Sequence, residues 1–459
     1  MQSKRLLARS AALLLSLSLV AAGCGDDSDD NASDSGDSTE TTAAPESSGE
    51  DGVLAGMRGT TPLVDLGDDF KQRMLEVDPA LVDFNYGAES YDAAIIIALA
   101  ANEAETDGSA YAEKINGITR GGEKCTDYKA CLDIIKAGGD PDYDGASGPL
   151  EFSGNGEPTK ASYGILEFGA MKNSEEGTAC DKTKECLDGS KTKFQEATAP
   201  ESADVAQVPV TANREGDGTL TIGTLLPITG SLAFLGPPEF AGVKLALAEI
   251  NENGGFNGKD VGYIEGDSGD TENKVAPTTV ATLLSQGADA IIGAASSSVS
   301  LSVIDTITTA GVVMFSPANT SKKLSTYDDK GLYFRNAPSD ILQGQVLGAT
   351  IIDDGRSNVY ILALNDDYGT GLADDLKTAL EEGGATVIDT KIYDPKAADY
   401  SAEVSAVKDS GADAVALIGF DESSKILAKM AEQGIALNTV YGVDGNMGNA
   451  LAENFEAGK

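Results

Sequence analysis

From Thr219 onward, short β-rich apolar runs alternate with longer stretches whose apolar residues recur at three- and four-residue spacing, the separate periodicities of strand and helix. The pattern predicts strands over 220–228, 261–265, 290–294, 312–316, 358–364, 386–393, 414–419 and 439–443. Between them it predicts helices such as 239–253, 274–285, 301–310, 371–382 and 424–433. Repetition of strand and helix builds parallel sheets covered on both faces, an α/β architecture. In such open sheets ligands collect beyond the carboxyl ends of the strands, so the loops there are the places to look for chemistry.

The earlier block, 53–172, is also α/β, with a strand at 55–59, helices at 68–75 and 89–104, and a closing hairpin of 150–152 with 163–168. Residues 173–217 are polar, contain Pro200 and Pro209, and read as a linker. Further upstream, 25–52 holds ten acids and no Lys or Arg. Such a segment buries too little apolar area to offset its ordering entropy; it reads as a tether with a root-mean-square span of about 30 Å. Ahead of it, Lys4, Arg5 and Arg9 precede an apolar run over 11–22 that ends Leu19-Val20-Ala21-Ala22-Gly23-Cys24. A charged start, a short apolar stretch and small residues before a cut are the parts of a secretory signal, and the run is too short for a membrane span. Small residues directly before Cys resemble the lipobox of bacterial lipoproteins. That implies removal of 1–23, a lipidated Cys24 and an extracytoplasmic, lipid-anchored protein; an ordinary cleavage site abutting a Cys is the alternative.

Charge narrows the functional classes. Over 459 residues, 74 Asp and Glu face 33 Lys and Arg, a net −41, and there is no histidine. A surface this negative repels phosphate backbones and anionic bilayers, which argues against nucleic-acid partners and basic-patch docking. Lack of His removes Ser-His-Asp triads, Cys-His dyads and His-ligated zinc. No phosphate-binding Gly-x-x-x-x-Gly-Lys loop is present, so any ATP hydrolysis belongs to a partner. With no nucleophile next to a base and no paired-carboxylate motif, the expectation is that the chain is not an enzyme and carries no cofactor or metal, with calcium at an acidic loop over 140–151 left as the open alternative.

Five motifs then follow in order: Thr219-Leu-Thr-Ile-Gly-Thr-Leu-Leu-Pro-Ile-Thr-Gly230, Gly293-Ala-Ala-Ser-Ser-Ser298, Ser316-Pro-Ala-Asn-Thr320, Asn365-Asp-Asp-Tyr-Gly-Thr-Gly371 and Tyr441-Gly-Val-Asp-Gly445. Together they resemble the leucine/isoleucine/valine-binding type of periplasmic binding protein, the solute receptors of ABC importers. The resemblance implies two doubly wound parallel-sheet lobes, joined by three crossover strands, that close like a clam on a small ligand. It also implies a rearranged order. The family continues past the Tyr-Gly-Val-Asp-Gly strand into another crossover, helices and a hairpin, and that missing part resembles 53–172. The expected organisation is a circular permutant: signal 1–23, tether 24–52, the family's usual final third at 53–172 (mostly first lobe, with its hairpin in the second), linker 173–217, first-lobe core 218–338 and second-lobe core 339–459. Permutation is tolerated where old termini lie at the surface and a linker spans them. Pairing of incomplete halves between chains by domain swapping is the competing arrangement; the linker is long enough to favour a monomer.

Ser297 and Ser298 fall between a predicted strand and helix, where hydroxyls and free N–H groups suit a carboxylate, although Ser there also serves as a plain cap. By resemblance, Ser297 holds the ligand carboxylate, Ala318 offers a backbone group, and Thr320 its hydroxyl and amide. Asp444 stands where the family pairs an acid with the ligand's ammonium; the alternative is a turn Asp before Gly445. Tyr368 and Phe420 match positions that wall the cleft, Phe234 and Leu235 are placed to touch the ligand side chain or simply to fill the core, and Asp421 adds charge at the rim. The implied function is capture of an amino acid, branched-chain or otherwise apolar, for an ABC permease. A sensory receptor built on the same cleft, or one for an amide, urea or short carboxylate, is the alternative.

Two further patterns carry less. Asp140-Pro-Asp142-Tyr-Asp144-Gly145 with Glu151 fits a calcium-loop pattern, but Gly148-Pro149 interrupts it and no helix is predicted after Glu151. Cys125/Cys131 and Cys180/Cys186, each six apart in an exported chain, read as two local disulfides.

Overall fold

The computed structural model describes residues 52–169, 185–199 and 207–456. The early block supplies β1 (Arg58–Pro62), α1 (Asp68–Val77), α2 (Gly87–Ala104), α3 (Ala112–Ile118), β2 (Glu123–Cys125), α4 (Tyr128–Lys136), β3 (Pro141–Tyr143), β4 (Lys160–Glu167) and β5 (Lys193–Thr198). Next come β6 (Thr221–Leu225), α5 (Gly236–Glu252), β7 (Gly262–Ile264), α6 (Ala276–Ser285), β8 (Ala290–Gly293), α7 (Ser297–Thr309), β9 (Val313–Ser316) and β10 (Tyr333–Arg335). The chain ends with α8 (Asp340–Asp353), β11 (Asn358–Leu364), α9 (Asp367–Glu382), β12 (Thr386–Tyr393), α10 (Ser401–Ser410), β13 (Ala414–Ile418), α11 (Ser423–Glu432), β14 (Val440–Gly442) and α12 (Asn449–Glu456).

Two α/β lobes result. The first holds a five-stranded sheet, β10-β9-β8-β6-β7, parallel throughout. The second holds seven strands in the order β12-β11-β13-β14-β1-β4-β5. In it β1 lies parallel to β14, Arg58 opposite Tyr441 and Gly59 opposite Gly442, and antiparallel to β4. A strand from the start of the described chain thus sits inside a sheet made mostly by its end. The two lobes share this interlacing: α2 belongs with the first lobe, where its residues join one core with Ile222 of β6 and Ile292 of β8. Apolar on nearly every side, α2 buries Ala93 through Ala101, as a helix enclosed by protein must. It packs closely on α5, where a Cβ at Gly242 would lie 2.1 Å from the Gly87 carbonyl oxygen. The chain passes between the lobes through residues 63–67, 144–159 and 336–339, and a fourth time between the end of β5 at Thr198 and the start of β6 at Thr221.

Several expectations shift. The strand expected at 55–59 runs from Arg58 to Pro62. The expected hairpin does not form: β4 pairs with β1 and β5, while Phe152 makes only an isolated bridge with Pro158. Leu150 and Glu151 both take left-handed backbone, φ 59° and 51°, which cannot extend a strand. The supposed linker contains β5, an edge strand whose Lys193 and Glu196 give it no apolar signature. Its later part is docked as well, with Arg214 paired to Asp289 at 2.6 Å and the amides of Asp217, Gly218 and Thr219 donating to Asp107.

The Cys125–Cys131 disulfide is present. Cys186 is also disulfide-bonded, and its expected partner Cys180 lies outside the described residues, as do Cys24 and the signal and tether segments. In the 140–151 loop, the Lys124 ammonium stands 3.1 Å from Asp142 and 2.9 Å from Asp144, in the position a cation ligand set would need. The Ala146 and Ser147 amides turn to Asp92 on α2. Among the described residues no helix is long and apolar enough to cross a membrane.

Candidate ligand cleft between the lobes

The cleft is assembled at strand ends, as parallel sheets require. On the first-lobe side β8 leads into α7. Its cap is Ser296, whose hydroxyl accepts from Val299 N, so neither Ser297 nor Ser298 is the cap, and the helix begins four residues earlier than periodicity indicates. Ser297 is 3% exposed. Its Oγ accepts from the amides of Thr320 and Ser321 at 3.3 and 3.2 Å, which leaves its own hydrogen to donate. Ala318 and Thr320 follow β9, and the Ala318 amide donates to Ser316 Oγ at 3.3 Å.

Across the gap, Asp444 follows β14 and is 5% exposed. Tyr368 Oη and Gln343 Nε2 donate to its Oδ1 at 2.6 and 2.9 Å, and Tyr86 Oη donates to Oδ2 at 2.7 Å. Burial pushes its carboxyl up, and the three donors pull it back toward ionisation. The Tyr368 ring stacks on Phe420, centroids 5.5 Å apart and planes 13° from parallel. Tyr86, Leu235, Ser297, Ala318, Thr320, Tyr368, Phe420 and Asp444 meet around one cavity of about 20 Å³, room for about one water; the lobes are closed upon it.

Two of the sequence-derived candidates, Ser298 and Phe234, lie away from this cavity, and Asp421 stands at its rim. Ser298 turns to the second lobe, donating to Asp366 Oδ2 at 3.1 Å and accepting from Asp367 N at 3.0 Å; it joins the lobes beside the cavity. Phe234 packs with the second-lobe core over Gly448, where a Cβ would stand 3.2 Å from its ring. Asp421 lines an outer cavity of about 730 Å³ that shares Leu232, Ser296 and Phe420 with the inner one. Asp270 and Glu272 of the first lobe face Asp394 and Asp421 of the second there, and Lys396 pairs with Glu272 across the mouth.

Tyr86 and Gln343 were missed. Tyr86 stands at the N-cap of α2 with left-handed backbone, φ 59°, a conformation uncommon for a bulky residue. Its neighbours Asn85 and Asp83 bind Met447 O and Asn449 of the second lobe. Nothing in Asn85-Tyr86-Gly87 signals this, because the partner lies hundreds of residues away. Gln343 was accessible in principle: it is on α8, a helix the sequence reading did not name.

Residues 219–455 match the family described as periplasmic binding protein. A Leu/Ile/Val-binding protein homolog 2 of Brucella abortus (strain 2308) is 31% identical over 237 residues, 51% of this chain and 62% of the relative. The Leu/Ile/Val-binding protein BraC3 of Rhizobium johnstonii is 29% identical over 231 residues, 49% of this chain and 61% of the relative. Among solved structures, the branched-chain amino acid transporter substrate binding protein LivJ of Streptococcus pneumoniae, in complex with isoleucine, matches with a TM-score of 0.47 and 25% identity over 52% of this chain and 68% of that one. The chain thus spans about three-fifths of the length of the curated relatives it matches. With the family matched over half of its length, this two-lobed chain belongs to the type I periplasmic binding proteins.

Proposed function

We propose that the protein captures a free amino acid, branched-chain or otherwise apolar, outside the cytoplasmic membrane and delivers it unchanged to an ABC permease. The observation that carries this reading is Asp444, a buried carboxylate held by three donors opposite the hydroxyl of Ser297 at the start of a helix. Acid on one side and a helix N-terminus on the other complement the ammonium and carboxylate of a zwitterion. A ligand without an amine leaves Asp444 buried and unpaired, so selectivity comes by penalty. The apolar wall of Leu235, Ala318 and Phe420 suits an aliphatic side chain, and the relatives matched over the same residues carry Leu/Ile/Val-binding names. A cavity of about 20 Å³ requires the lobes to part for entry, so ligand binding selects the closed arrangement and turns affinity into hinge motion.

The lipid anchor at Cys24 and the circular permutation belong to the same reading. The permutation is supported by β1 lying beside β14 and by α2 lying against the first-lobe sheet. Titration calorimetry with L-leucine, L-isoleucine and L-valine tests the function. Binding at one site per chain that Asp444→Asn abolishes supports it, and equal affinity in wild type and variant removes it.

A further inference from the structure

Asp340 opens α8 immediately after the 336–339 connection and is 0% exposed, yet neither of its carboxyl oxygens has a hydrogen-bond partner. Its amide donates to Thr320 O at 2.8 Å, and the Thr320 hydroxyl lies beside the carboxyl without an aligned hydrogen bond. Thr320 in turn lines the inner cavity. Three residues along the same helix face, Gln343 holds Asp444 through Nε2 while its Oε1 goes unpartnered, as does the Tyr163 hydroxyl.

We propose that Asp340 holds a proton and thereby aims the Thr320 hydroxyl at the ligand carboxylate, so that capture depends on pH. The proposal rests on the amino-acid reading of the cleft. Asp444 and Asp340 are a pair of acids in unlike surroundings, which drives their titrations apart. Three aligned donors stabilise charge on Asp444, whereas Asp340 has only the unaligned Thr320 hydroxyl beside it. The other titratable groups facing Asp340 are Asp375, Tyr163, Tyr368 and Arg335. Only Arg335 attracts its charge, and that guanidinium is committed to Glu157 at 3.0 Å. Burial, then the charge of Asp444, push the Asp340 carboxyl well above its usual range.

The protonated carboxyl donates to Thr320 Oγ1, and the Thr320 hydrogen then points into the cavity, where a carboxylate accepts it. The ionised carboxyl takes that hydrogen for itself and leaves Thr320 lone pairs facing the ligand. Asp340 is a positioning residue in this scheme, because it acts through Thr320 and touches no ligand. Affinity should be level below the Asp340 titration and fall by up to about tenfold per pH unit above it.

Two measurements decide the matter. In the infrared difference between wild type and Asp340→Asn, a protonated-carboxyl stretch should disappear; loss of carboxylate bands instead overturns the proposal. In calorimetry with L-isoleucine from about pH 5 to about pH 9, wild-type affinity should fall with pH, whereas Asp340→Asn and Thr320→Val should lack the slope. Thr320→Val keeps this test available if Asp340→Asn misfolds. A flat wild type, or an equal slope in either variant, overturns the proposal, since a merely structural Asp340 would shift affinity alike at every pH. If wild type binds no amino acid at any pH the functional reading fails, and the infrared result still decides where the proton is.

Discussion

The Tyr86 hydroxyl donates to Asp444 Oδ2 at 2.7 Å across 358 positions of sequence, and in doing so joins the first lobe to the second. Asp444 therefore senses closure directly, since one of its three donors arrives only when the lobes meet. Tyr86→Phe removes one hydrogen bond to a charged group, worth about 1.5–3 kcal/mol, and should weaken amino-acid binding about 10- to 100-fold. Calorimetry checks this, and unchanged affinity would deny Tyr86 its role in closure.

Arg335 is 1% exposed and donates through Nε to Glu157 at 3.0 Å and through Nη1 to the carbonyls of Asn319 and Ser321. Its pairing with Glu157 ties the early block to the first-lobe sheet. Removing one partner of a buried pair strands the other, at about 3–5 kcal/mol. Glu157→Gln should lower unfolding free energy on that scale in urea titration, and a loss below about 1 kcal/mol would mean the early block is not integral to the fold.

Stability should rise on mild acidification. Burial pushes Glu89 from 4.5 up to about 8, so the folded protein keeps a proton that the unfolded chain releases between those pH values. The sign follows: stability is greatest below the unfolded value and is lost as pH rises toward the folded one, at about 1.4 kcal/mol per pH unit. Glu89→Gln should melt higher than wild type near pH 8 and show no gain near pH 4.5. A gain that is the same at both pH values would trace to packing and not to the proton.

The permuted reading predicts that a rearranged chain, with residues 207–456 ahead of 52–199, folds and binds amino acids as the present order does. It predicts a monomer as well, with the pairing of β1 and β14 made within each molecule. Light scattering that shows an obligate dimer would favour exchange of halves between molecules.

Much of this was legible in the pattern of residues because parallel strands buried on both faces, such as β11 and β13, leave unbroken apolar runs. The cleft residues named from motifs, Ser297, Thr320, Tyr368 and Asp444, converge for the same reason: each follows a strand end. Illegible parts failed on physical grounds. β5 is a polar edge strand without alternation, and Leu150 and Glu151 are left-handed although neither is the Gly or Asn that usually marks such a position; the turn pair Gly148-Pro149 lies just before them. Ser298 shares its motif with Ser297, but one step along a helix rotates a side chain by about 100°, enough to turn it from the cavity to Asp366. Tyr86 and Asp340 act through contacts made only in three dimensions.

The place of β1 between β14 and β4 also governs how the molecule is made. Until residues 440–442 have been delivered, the second sheet has a gap on one flank of β1, and its main-chain groups have no permanent partner there. Assembly of this sheet therefore waits for a strand about 380 residues further along the chain, a high-contact-order route that is intrinsically slow. Up to that point β1 offers an open strand edge, a template for pairing with other chains.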